Sequence, residues 1–117
     1  MEPIYDSTGA VISWLQDENV YDLNGKHLAI VRDKNVFSHT GQHLGVFGSG
    51  LFRDHSGDVI AFMRNGSGGP MLPIPAIPPI PPIPSIPPIP SIPAIPPIPA
   101  IPSYNWSAVD WTAFISA

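Results

Sequence analysis

Four glycines stand sixteen residues apart, at Gly9, Gly25, Gly41 and Gly57. An acid or a serine precedes each by three positions, giving the boxes Asp6-Ser7-Thr8-Gly9, Asp22-Leu23-Asn24-Gly25, Ser38-His39-Thr40-Gly41 and Asp54-His55-Ser56-Gly57. Such a box is turn chemistry. Its first side chain accepts from the turn's own backbone, and its glycine takes the positive φ that closes a pair of strands. Ahead of the boxes stand Ile4-Tyr5, Val20-Tyr21, Val36-Phe37 and Leu51-Phe52, β-branched and aromatic residues suited to strands. A second strand-like run follows each box. A repeat of this length is one supersecondary unit that cannot bury its apolar face alone. The expectation is a mainly β head of four consecutive β-hairpins in residues 1–65.

The fourth unit departs from the others. Arg53 is extra between Phe52 and Asp54, while the connection Gly48-Ser49-Gly50 is one residue shorter than its counterparts, so the glycine spacing survives. The favoured reading makes Arg53 a β-bulge. The other reading is a gapless register with Arg53 in the aromatic slot. In the return strands, Ile12, Leu28, Leu44 and Ile60 alternate with Trp14, Ile30, Val46 and Phe62, and this face is the expected core. The opposite face is also largely apolar, ending in Leu15, Val31, Phe47 and Met63. It carries a ring of small residues, Ser13, Ala29, Gly45 and Ala61. Small side chains at one repeated place mean close approach, either between repeats around an axis or of another backbone. That second face should therefore be covered.

These sixteen-residue units, hydrophobic-(Tyr/Phe)-Asp-x-x-Gly-x-x-(Ile/Leu)-small-apolar, resemble the four-fold beta flower domain of bacterial proteins over roughly residues 3–65. The Pro-rich segment and Trp-containing tail are also similar to members of that family. The resemblance implies four hairpins around a pseudo-four-fold axis, and it implies no activity.

Beyond a Gly-rich linker (66–72) the composition changes. Ile74, Ile77, Ile80, Ile83, Ile86, Ile89, Ile92, Ile95, Ile98 and Ile101 keep a strict period of three, each followed by Pro, with only Ala, Pro or Ser third. Pro at this density permits neither helix nor central strand. Polyproline II has three residues per turn, which aligns the isoleucines on one edge of a rod spanning 73–103. Fully extended at about 3.1 Å per residue, such a rod would far outreach the head. The isoleucine edge should lie against protein, partly on the head's second face. In the aromatic tail (104–117), Ser107-Ala108-Val109-Asp110 reads as a capping box, with Ser107 as N-cap and Trp106 and Trp111 as the hydrophobic staple of a short helix.

The 117 residues carry a net charge of −4 and no cysteine, which excludes disulfides and Cys-based zinc sites and argues against nucleic acid. No signal peptide is visible. The uncharged Pro-rich stretch cannot span a bilayer, because its carbonyls lack internal partners. His27 and His43 share one slot and His39 and His55 another, but neither slot is filled four times, so no metal site is expected. Asp6, Asp22 and Asp54 are accounted for as turn residues, and no catalytic residue or cofactor is expected. The chain reads as a non-enzymatic structural or assembly protein. Its ten isoleucines, with Trp106 and Trp111, should bind protein, as a homo-oligomer or on another chain. The alternative is a monomeric binding module with the Pro-rich segment as spacer or ligand. Cytoplasmic residence is the default expectation.

Overall fold

The computed structural model describes residues 1–88 and 92–116, so the expectation for Ile89 lies outside the described residues. Eight antiparallel strands form a closed barrel in chain order: β1 (Glu2–Tyr5), β2 (Val11–Gln16), β3 (Asn19–Tyr21), β4 (His27–Arg32), β5 (Asn35–Ser38), β6 (His43–Gly48), β7 (Leu51–Arg53) and β8 (Val59–Phe62). Closure comes from β1 against β8, through Tyr5 and Phe62. Among the described residues no helix is long and apolar enough to cross a membrane.

Each glycine box forms one end of a strand pair. Gly9 N–H donates to the Asp6 carbonyl at 3.0 Å, and Asp6 Oδ1 accepts from the N–H groups of Thr8 and Ala10. Asp22, Ser38 and Asp54 close their boxes the same way. At the opposite end the connections are the pairs Asp17-Glu18, Asp33-Lys34 and Ser49-Gly50, all with positive φ. Two consecutive positive φ values define the type I′ turn, whose twist matches that of the strands.

The register overturns two expectations. Tyr5 pairs with Val11 and Ile4 with Ser13, so Ile12 is bulged out of the ladder, and Leu28, Leu44 and Ile60 are bulged in the same way. The bulge turns these four side chains inward, onto the cluster formed by Ile4, Val20, Val36 and Phe52. Trp14, Ile30 and Phe62 therefore do not share a face with them. Phe62 packs outside the barrel against Tyr5. The interior is the face with the small ring. Arg53, in turn, is not a bulge: it pairs with Val46 as Tyr21 pairs with Trp14 and Phe37 with Ile30. The gapless register holds, because Ser49-Gly50 is a full two-residue turn and nothing is missing before it.

A short helix, α1 (Trp111–Ile115), plugs the barrel. Its N-cap is Asp110, which accepts from Ala113 N–H at 2.8 Å, and not Ser107. Ser107 Oγ instead donates to Asp54 Oδ2 and accepts from Val109 N–H, tying the segment to the fourth turn. Trp111 reaches the interior, where its Nε1–H donates to Ser13 Oγ at 2.8 Å and its ring meets Phe52 edge-on. Phe114 lies over Gly45, where an added Cβ would meet first the Arg53 carbonyl and then the Phe114 ring at 2.8 Å. The small ring thus makes room for α1, and the helix, not the isoleucine edge, covers the second face. The molecule measures 37 × 36 × 21 Å.

Candidate functional site

The described residues of the Pro-rich segment form neither helix nor strand, and they do not project as a rod. They wind around the barrel as a strap. Ala76 N–H donates to the Gly9 carbonyl, Ser85 to Gly25, Ala94 to Gly41 and Ser103 to Gly57, at 2.7–3.1 Å. Every nine residues of strap therefore meet every sixteen residues of barrel, on the glycine of each turn box. These glycines serve twice. Their positive φ closes the turn, and a Cβ there would strike a strap carbonyl, 2.5 Å from Ile74 O at Gly9 and from Ile101 O at Gly57.

The sequence marks the anchors only in part, and sequence reasoning missed them. The third triplet position is Pro at 79, 82, 88 and 97 and Ala or Ser at the other six, which include the anchors 76, 85, 94 and 103 and also 91 and 100. Proline has no N–H to donate. The anchors all lack proline and fall nine residues apart in step with the four glycines, but residue type alone does not separate them from Ser91 and Ala100.

Arg53 joins the strap's two ends. Buried in the aromatic slot of the fourth unit, it donates to the carbonyls of Gly57, Ser103 and Gly68 at 2.7–3.0 Å. Gly68 opens the strap and Ser103 closes it. This explains why one unit carries a guanidinium where the others carry rings. A planar group with five donors can satisfy three carbonyls at once.

With the strap's backbone held inward, its isoleucines face solvent. The nine described ones are 89–95% exposed. Met71 (93%) and Tyr104 (76%) extend the same period of three at either end. The expectation that this edge packs on the head is thus corrected: it forms an outward apolar band around the barrel. Trp111 is buried in the barrel and Trp106 half-buried beside Phe62 and Val59, so neither tryptophan belongs to the band.

Two other clusters sit between units. His27 Nδ1 lies 2.7 Å from His39 Nε2, and its Nε2 lies 2.8 Å from Asn19 Oδ1. His43, His55 and Asn35 repeat this at 2.9 Å. Asn19 Nδ2 donates to the Asp17 carbonyl, which leaves Oδ1 as the acceptor for His27. A neutral His27 then donates from Nε2 and accepts at Nδ1 from His39 Nε2–H. Burial, and next the neighbouring charge of His39 or His55, holds His27 and His43 below the ordinary imidazole pKa. Both pairs read as clasps between adjacent units. Among the described residues no three His, Cys, Asp or Glu side chains gather as a metal site.

No curated protein and no solved structure matches the chain significantly. The sequence profile of the 4-fold beta flower proteins matches residues 2–115, strap and helix included, and the chain belongs to that family.

Proposed function

We propose that this is a non-enzymatic structural protein whose isoleucine band is a contact surface, for self-association or for docking on another protein. In this reading the four units are hairpins about a pseudo-four-fold axis and the strap is polyproline II. The arithmetic supports it: three nine-residue steps between anchors and the stretch from Gly68 to Ala76, at about 3.1 Å per residue, make a circuit of roughly 110 Å, or about 35 Å across, close to the 37 × 36 Å measured. One observation carries the function. Nine isoleucines stand almost fully exposed on a strap pinned at four points, and uncharged residues run from Asn65 to Val109. Exposed apolar patches beyond a few hundred Å² mark interaction sites. The spacer alternative finds less support, since a strap wound on its own barrel holds nothing apart.

The test is the size of the protein in extracts of the cells that make it, beside a triple variant, Ile77→Asp, Ile86→Asp and Ile95→Asp. The native chain should elute well above its own 12.6 kDa. The variant should fall to monomer size with an unchanged melting temperature. Elution of both at monomer size would reject the contact surface.

A further inference from the structure

The band has a shape as well as a chemistry. Two nearly equal long dimensions and one short one, 37 × 36 × 21 Å, describe a disc. The strap meets the turn glycines of all four units in order, so it runs around the disc's rim. Met71 and Ile74 lie on the first side, Ile77, Ile80 and Ile83 on the second, Ile86 and Ile92 on the third, and Ile95, Ile98 and Ile101 on the fourth. Arg53 brings the ends together. Over the described residues the exposed edge is therefore a convex apolar band that reaches all four sides.

Convexity limits what can cover it. An isoleucine takes about 60–120 Å² of apolar surface out of water when buried. A flat partner, or the rim of a second copy, touches one side and about three such residues. Counting both partners, that is roughly 360–720 Å², below the ~1,000 Å² of a specific stable interface. Burying the nine described isoleucines together takes about 1,100–2,200 Å² on the same count, the range of stable complexes. Only a concave surface reaches all four sides.

We infer that the disc seats inside a ring-shaped protein whose bore is apolar, uncharged and a little wider than the disc. The inference rests on the contact-surface reading and names its partner's form. A single row of apolar side chains is too narrow to match the ~30 Å hydrocarbon thickness of a bilayer, so a lipid surface fits less well.

The experiment places the photo-cross-linking amino acid p-benzoylphenylalanine singly at Met71, Ile77, Ile86 or Ile95, one per side, in the full chain expressed in its native cells. Native mass spectrometry of the purified complex accompanies it. All four positions should link to the same partner, in a complex of one copy of this chain with several copies of that partner. The purified chain alone should remain monomeric at high micromolar concentration. Links from a single side, or a one-to-one complex, would replace the ring by a flat partner. Links between copies of this chain would overturn the ring while sustaining self-association. Absence of any link would remove both this inference and the contact surface.

Discussion

At the scale of single residues, glycine carries two separable burdens here. Gly25 has φ +89° and faces the Ile83 carbonyl, Gly68 has φ +83° with open space around it, and Gly48 has neither constraint. Gly68→Ala should cost about 1 kcal/mol for the left-handed backbone alone. Gly25→Ala should cost distinctly more because the strap must also shift, and Gly48→Ala should change little. Melting temperatures of the three decide it, and equal values for Gly25→Ala and Gly68→Ala would show that the strap does not press on the turn. The histidine clasps make a second prediction. Since His27 and His43 titrate below the ordinary value in the fold, the unfolded chain binds more protons as pH falls below about 6.5. Stability is then fully present above that pH and declines as pH drops toward the lowered pKa values. Melting temperature should fall between pH 8 and pH 5. Replacing His27 and His43 by Val, the residue at the matching Val11 and Val59, should flatten that dependence.

At the scale of elements, the strap and α1 borrow their order from the barrel. A five-residue helix is far too short to hold alone, and Trp111 and Phe114 fix it by filling the barrel's mouth. Trp111→Ala should cost about 3–5 kcal/mol, as for other buried aromatics, and should abolish amide protection at Phe114. Ser107→Ala should leave that protection in place, because Asp110 is the cap. The strap's anchors are backbone donors, so proline is the sharp probe. Ala76→Pro leaves the Gly9 carbonyl without its partner and should cost about 1–3 kcal/mol. Pro79→Ala, between anchors, should be nearly neutral. Equal stabilities of the two variants would deny the anchoring role of the Ala76 N–H.

At the scale of the whole molecule, Arg53 decides whether the strap is a closed circuit or an open arm. Arg53→Met removes the donor to three carbonyls. It should cost at least about 2 kcal/mol and speed amide exchange at Ser103 much more than at Ser85. The strap should also unfold with the barrel: tryptophan fluorescence and far-ultraviolet circular dichroism should report one coincident transition. A separate early transition of the strap would show it to be only loosely held.

The four boxes, repeated every sixteen residues, were sufficient to determine a β head with glycine turns, because turn chemistry is local: the first side chain accepts from N–H groups of the turn, and the glycine N–H donates to the first residue's carbonyl. The triplet likewise determined a segment without helix or strand, since proline forbids both wherever it lies, but it points to a projecting rod and not to a strap. What the head's two faces become was not local. Two apolar faces look alike in a strand, and only the bulges at Ile12, Leu28, Leu44 and Ile60, together with the plug of Trp111, decide which is inside. The place of Arg53 depended on where its three carbonyls come together, and two of them lie 15 and 50 residues away along the chain. The course of the strap followed from closure of the barrel. Its period of nine acquires meaning only when four turns stand at equal intervals around a circuit that nine residues per step can span.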